Sequence, residues 1–365
     1  MTVNETYMHR CLQLAKLGEG YVAPNPMVGA VLVYENRIIG DGYHQQFGEP
    51  HAEVNCIASV CEEDEGLISK STLYVSLEPC THFGKTPPCS DLIIKHQIPK
   101  VVIGCRDPFV KVNACLPSLA STDGNDVVGR GIEKLRAAGI EVSLASGEMG
   151  KECKEINHRF FHFQKTKKPY IILKWAQSAN NKISAVGTNR VFISNEITNC
   201  LVHKWRSEEA AILVGTKTAL LDDPALNNRL WHGPSPVRMV VDLNLRLPDS
   251  LKLFNQQEKT IVFNLHKQGV AGNISYHKLH SAENLLQQLT DALYQLNIQS
   301  VLIEGGAIIL QSFIDAGLWN EARVITNMDL VIEEGVDSPL LKSFINTGEE
   351  SILNDRISYF KNQFS

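Results

Sequence analysis

Apolar positions change their period several times along the 365-residue chain. Near the start, Met8, Cys11, Leu12 and Ala15 fall three and four apart, the spacing of one helical face. Thr2 and Glu5 are placed for a capping box, and Gly18 for the stop. The period then shortens. MVGAVLVY (27–34) and RIIGDGYH (37–44) read as a strand pair joined at Glu35-Asn36. A helix is predicted from about His51 to Cys61, a buried strand over TLYVSL (72–77), a helix opened by Pro88, and a strand over KVVIGC (100–105). Residues 127–144 read as a helix, a glycine stop at Gly139 and a strand. Strands alternating with helices predict an α/β layered domain.

From about 147 to 168 the pattern breaks into a polar and aromatic connector. A second alternating series follows, with strands at YIILKW (170–175), AAILVG (210–215), VRMVVD (237–242), TIVFN (260–264) and SVLIEGG (300–306). Helices are predicted near 194–206, 281–296 and 307–317. This is a second α/β domain with a mostly parallel sheet. The length exceeds what one core usually serves, so two domains are expected, 1–146 and 147–365.

Composition narrows the class. The chain is 44% hydrophobic and 21% charged, as in soluble globular enzymes, and its formal net charge is −5. That balance gives no overall attraction to nucleic acid or anionic membrane. No apolar run approaches the ~20 residues that cross a bilayer, and the first 20 residues are not patterned as a signal peptide. A cytoplasmic location is expected, where thiols stay reduced. The nine cysteines, an odd number, do not suggest a disulfide framework.

Cys80 and Cys89, with eight residues between them, therefore raise a question of chemistry. They could be a disulfide, a redox pair, buried apolar thiols or metal ligands. A hydrolytic zinc site needs three protein ligands, an open position for water and a nearby acid/base that is not a ligand. His51, Cys80 and Cys89 supply one nitrogen and two thiolates, and Glu53 is left to move protons. Cys80 follows a strand and Cys89 opens a helix, so both fall at one sheet edge. The order His-x-Glu, then Pro-Cys and a second Cys, is that of zinc nucleobase deaminases, whose usual gap between cysteines is two residues.

The longer gap, with 24-PNPMVGA-30, 42-GYHQQFGEPHAE-53 and 78-EPCTHFGKTPPC-89, resembles the bifunctional deaminase–reductase family of riboflavin biosynthesis. The resemblance implies a cytidine-deaminase-like three-layer domain followed by a dihydrofolate-reductase-like α/β domain. It implies that Asn25, His44, His82, Lys85 and Asp107 line the pyrimidine and phosphate site. An Asn amide can read a pyrimidine edge, and a lysine can hold a phosphate. The chain departs from the family pattern at Phe109, where Asn is usual, and carries about a dozen extra residues before 129-GRG-131.

The second half has no G-x-G-x-x-G fingerprint. It has 301-VLIEGGAIILQSF-313, where glycines between strand and helix let backbone amides approach an anion. It also has 169-PYIILKWAQS-178, 200-CLVHKWRSEEAAILVG-215 and DDPALNNR up to Arg229. Together these are similar to the reductase half of the same family. The resemblance implies NADPH contacts from Thr218, Asp222, Gly305, Gly306, Ala307 and Ile308. It implies substrate contacts from Arg206, Leu226, Arg229 and Glu304. Asn180-Asn181 stands where Asp-Gly is common, and Phe192 where Trp is.

The implied function has two steps. The first is zinc-dependent hydrolytic deamination of 2,5-diamino-6-(5-phosphoribosylamino)pyrimidin-4(3H)-one, with Glu53 catalytic. The second is NADPH reduction of the ribosyl group of the resulting uracil to ribityl. The partners expected are small molecules and a second copy of the chain, with no nucleic acid or membrane. The rivals are a tRNA adenosine deaminase, a structural zinc module fused to a reductase, and the same architecture with one half inactive.

Overall fold

Helix α1 (Val3–Lys16) turns Met8, Cys11, Leu12 and Ala15 into the core. It packs on the hairpin of β1 (Gly29–Tyr34) and β2 (Arg37–Tyr43), whose turn residues Glu35 and Asn36 take φ of 45° and 67°. Such paired left-handed residues match the twist of a tight hairpin. The chain continues through α2 (Ala52–Ala58), a 3-10 segment (Glu62–Lys70), β3 (Thr72–Leu77), α3 (Cys89–Lys95), β4 (Lys100–Cys105), α4 (Gly131–Ala137) and β5 (Glu141–Leu144). Helix α2 stops before the predicted Cys61. Ser59 ends it, its hydroxyl donating to the Cys56 carbonyl at 2.8 Å. The computed structural model describes residues 3–81, 83, 87–108, 130–186 and 191–364. Thr2, His82, Lys85 and Phe109 therefore lie outside the described residues.

The five strands pair in the order β2-β1-β3-β4-β5, with β3, β4 and β5 parallel. Period-two burial gives this sheet two greasy faces. Ala30 and Leu32 of β1 join Cys56, Ile93 and Leu135 of α2, α3 and α4 on one side. Val31 and Val33 join Met8, Cys11 and Leu12 of α1 on the other. The result is three layers. On the second face lies α5 (Gly147–Glu155), followed by α6 (His158–Thr166), so the segment expected to be a connector is helical. Met149 and Cys153 of α5 are buried beside α1 residues. The chain divides into two compact units at Thr166/Lys167, and 147–166 belong to the first.

The second unit opens with β6 (Tyr170–Ser178) and β7 (Lys182–Ala185). It continues through α7 (Glu196–Glu208), β8 (Ala211–Gly215), α8 (Thr216–Asp222), β9 (Val237–Val241), β10 (Thr260–Asn264), β11 (Gly269–Ala271) and β12 (Ile274–Lys278). It ends with α9 (Leu285–Gln295), β13 (Ser300–Ile303), α10 (Ala307–Asp315), β14 (Glu321–Asn327), β15 (Gly335–Asp337), β16 (Phe344–Ile352) and β17 (Asp355–Asn362). Among the described residues, ten strands form one sheet, β11-β12-β10-β9-β8-β13-β6-β14-β17-β16. Its middle, β12 to β14, is parallel, and β11, β17 and β16 run antiparallel at the edges. The predicted strand 300–306 stops at Ile303, because Glu304-Gly305-Gly306 turns into α10. That turn lies where the central parallel strands end, which is where open α/β sheets place their ligands.

Candidate active sites

In the first unit the site grows from one close helix–strand approach. A Cβ on Gly42 would sit 2.4 Å from the Cys56 amide nitrogen, so only glycine lets α2 lie this near β2. His51 is the N-cap of α2, extended at φ −73° and ψ 167°, and Glu53 is in the first turn. Cys80 follows β3, and Cys89 starts α3 after Pro88. His51 Nδ1 is 3.6 Å from the Cys80 sulfur and 3.3 Å from the Cys89 sulfur, and one donor atom from each residue lies within 4.8 Å of the others. Tetrahedral zinc with its usual bond lengths holds sulfur and nitrogen ligands roughly 3.6 Å apart. The spacing and the donor set fit the ion.

Electrostatics agree with that fit. The Cys89 thiol, the His51 ring and the Cys89 amide, which donates at 3.3 Å, hold the Cys80 sulfur down at about 4 despite burial. Cys89 is pushed the other way by Cys80 and by burial. Glu53 is 3% exposed, and burial followed by the Cys80 charge raises its carboxyl above the ordinary range. Next to this cluster His44 packs edge-on against His51, ring centres 5.3 Å apart. Its Nδ1 donates to the Pro50 carbonyl at 3.1 Å, so its Nε2 accepts from the Asn25 amide at 3.0 Å. Burial lowers the His44 pKa and keeps that ring neutral. Asp107 follows β4, and its backbone N–H donates to Glu78 at 3.3 Å.

Two residues here were not singled out in the sequence. Glu78, 3% exposed, also accepts from the Ile132 amide at 2.9 Å, tying the start of α4 to the residue two before Cys80. Asn157, between α5 and α6, clamps Met27 through both backbone groups, at 2.7 and 2.8 Å. It therefore fixes the loop that carries Asn25. The EPC context was a signal for Glu78; nothing local marked Asn157.

In the second unit Glu304 follows β13, with its side chain 6% exposed. Arg206 of α7 grips it with both prongs, at 2.8 and 2.7 Å, and Lys174 of β6 stands 3.9 Å away. Burial alone would raise the Glu304 pKa, but Arg206 and Lys174 outweigh it and hold it at about 2. Lys174 is the functional candidate missed in the sequence. Arg229 donates its backbone N–H to His203 Nδ1 at 3.1 Å, and Leu226 is buried at φ 50°. Thus Arg206, Arg229 and Glu304 are joined through shared neighbours.

Beside them is a cradle. A Cβ on Gly305 would lie 2.9 Å from the Val214 Cβ, and one on Gly306, at φ 60°, would lie 3.0 Å from Thr218 Oγ1. Gly306 caps α10 without a side-chain bond, and Ala307 and Ile308 form its first turn. Bare backbone at a helix start suits a dinucleotide phosphate. Thr218 lies against both glycines, and Asp222 sits one turn further along α8. These residues fit NADPH.

Comparison with known proteins agrees with both halves. Residues 1–105 match the family described as cytidine and deoxycytidylate deaminase zinc-binding region. Residues 169–327 match the RibD C-terminal domain. The riboflavin biosynthesis protein RibD of Aquifex aeolicus is 37% identical over 88% of this chain and 86% of its own. That of Actinobacillus pleuropneumoniae is 36% identical over 92% of this chain and 86% of its own. Among solved structures, a diaminohydroxyphosphoribosylaminopyrimidine deaminase/5-amino-6-(5-phosphoribosylamino)uracil reductase from Thermotoga maritima superposes with a TM-score of 0.84 at 33% identity, over 99% of both chains. Acinetobacter baumannii RibD gives 0.83 at 28% identity, over 98% of both. The chain belongs to the bifunctional deaminase–reductase family of riboflavin biosynthesis, a zinc-dependent deaminase joined to an NADPH-dependent reductase.

Proposed function

We propose that the first unit hydrolyses the 2-amino group of 2,5-diamino-6-(5-phosphoribosylamino)pyrimidin-4(3H)-one, and that the second reduces the ribosyl group of 5-amino-6-(5-phosphoribosylamino)uracil to ribityl. The functional boundary falls between 147 and 167. The observation that carries the reading is the buried Glu53 carboxylate beside three converging donor atoms.

His51, Cys80 and Cys89 would hold zinc, and the turn at Gly305–Ile308 with Thr218 and Asp222 would hold NADPH. Bound there, the metal supplies Lewis acidity toward water and the nicotinamide supplies a hydride. Glu53 takes a proton at its carboxylate and returns it to the leaving amine; its raised pKa suits both roles. Asn25 is fixed with its nitrogen on His44, so its carbonyl oxygen is the acceptor offered to the pyrimidine edge. Asp107, His82 and Lys85 complete the proposed substrate contacts. In the second unit Arg206 and Arg229 receive the sugar phosphate, with guanidinium geometry matched to its oxygens. Glu304 and Leu226 place the ribosyl end. A cytoplasmic homo-oligomer acting on small molecules, without nucleic acid, is part of the same reading; the net charge of −5 supports the absence of nucleic acid.

The test is one reaction mixture. Zinc-loaded protein and the diaminopyrimidine ribosyl phosphate are followed for ammonia, with and without NADPH, while NADPH absorbance is recorded. The reading requires ammonia in both cases and NADPH loss only after deamination. Ammonia without NADPH loss removes the second half of the proposal, and no ammonia removes the first.

A further inference from the structure

One buried side chain sits among Arg206, Arg229 and Glu304 and has no part in the chemistry above: His203, 3% exposed. It lies one turn before Arg206 on α7. Its Nδ1 accepts the Arg229 backbone N–H at 3.1 Å, and its Nε2 is 3.5 Å from Arg206 NH1. The same guanidinium nitrogen donates to the Asn227 carbonyl at 3.3 Å. The imidazole thus stands between α7 and the 226–229 segment and touches both arginines.

We propose that His203 is a positioning residue of the reductase site, acting as a neutral imidazole whose Nδ1 holds the Arg229 backbone, and so the Arg229 guanidinium, ready for the substrate phosphate. This rests on the reading of those arginines given above and deepens it. The geometry requires the neutral ring. An imidazole nitrogen that accepts an amide hydrogen must keep its lone pair, which imidazolium lacks. The charged groups facing the ring are Arg206 from α7, Arg229 from the 226–229 segment and Glu304 from the turn after β13, with the Asn228 side chain beside them. Two are cations, and the one carboxylate is already committed to Arg206. Burial first, then Arg206 and Arg229, lower the His203 pKa to about 4. Protonation would remove the acceptor under Arg229 and set a third positive charge between the two guanidiniums. The segment needs such a hold, because Leu226 already turns it through a left-handed conformation three residues before Arg229.

The experiment uses the full zinc-loaded chain, the ribosylaminouracil phosphate and NADPH, with His203→Phe, His203→Asn and Arg229→Ala. Phenylalanine keeps bulk and loses the acceptor; the asparagine oxygen takes the place of Nδ1 and cannot titrate. The expected result is a roughly tenfold higher KM for the ribosyl phosphate in His203→Phe, the scale of one orphaned buried amide, with kcat and the NADPH KM within about twofold. His203→Asn should recover most of that loss. As pH falls below about 5, toward the His203 titration at about 4, the parent KM should rise more steeply than that of His203→Asn. This comparison decides the matter even where His203→Phe does not fold. Equal impairment of the Phe and Asn variants, or the same pH rise in parent and Asn variant, overturns the proposal. An unchanged KM in Arg229→Ala overturns the phosphate reading beneath it. A raised KM there with a normal His203→Phe overturns the His203 role alone.

Discussion

Arg206 and Glu304, 98 residues apart in sequence, meet in a two-pronged ion pair at 2.8 and 2.7 Å with both side chains largely out of water. Lys174 completes the group from a third element. Replacing Arg206 by Ala would leave a carboxylate and an ammonium buried without the fork. The expected loss is about 3–5 kcal/mol of second-unit stability, visible as a lower Tm. Arg206→Lys should recover only part of it, because an ammonium cannot grip both oxygens. A Tm within 1 °C or so of the parent for Arg206→Ala would contradict this.

The same group sets an acid limit. His203 titrates near 4 in the fold, below its ordinary value, so the unfolded chain binds more protons as pH falls. Its contribution is present above pH ~6.5 and is lost between there and about 4. Glu304, held at about 2, contributes above pH ~4.3 and loses it as pH falls toward 2. Second-unit stability should therefore fall in two stages. Urea melts followed by tryptophan fluorescence at several pH values would show them, and Glu304→Gln should abolish the lower one.

At the other site, Cys89→Ala should release zinc and abolish ammonia release, whereas Glu53→Gln should keep zinc and lose ammonia release by 10² or more. Zinc content by metal analysis separates the two. Equal metal loss in both variants would put Glu53 among the ligands.

Asn157→Ala breaks both bonds to Met27. The expected effect is a loss of about 1–3 kcal/mol in first-unit stability and a higher KM for deamination, since Asn25 is two residues away. The reductase parameters should not move. A deaminase KM equal to the parent's would show that Asn157 does not hold the Asn25 loop.

Gly305→Ala places a methyl 2.9 Å from the Val214 Cβ. Overpacking of this kind costs about 1–3 kcal/mol. NADPH KM should rise while ammonia release stays as in the parent; an unchanged NADPH KM would place the cofactor elsewhere.

The parts of the fold that were legible are those where one residue type repeats at one period. Val31, Leu32 and Val33 announce a strand greasy on both faces, and TLYVSL and KVVIGC do the same. The deaminase site was legible because its donors sit in a short dense motif. Helices α5 and α6 were not, because their apolar residues, Met149, Cys153, Phe160 and Phe163, are diluted by charge. Lys174 reads as the polar residue of a strand; its side chain is largely covered because Glu304 and Arg206 arrive from far along the chain. The β16–β17 hairpin was illegible for a related reason. Strand β16 is exposed at most positions, so it carries no alternation.

That hairpin does more than widen the sheet. Asp355 at the start of β17 accepts the Asn195 backbone N–H at 2.8 Å, and the Ile352 carbonyl accepts from the Asn195 side chain at 2.8 Å. Asn195 is the cap of α7, the helix that bears His203 and Arg206. On a ribosome, α7 is made about 160 residues before the partners that fasten its first turn. The first unit, built from residues before 167, can close while that helix is still waiting.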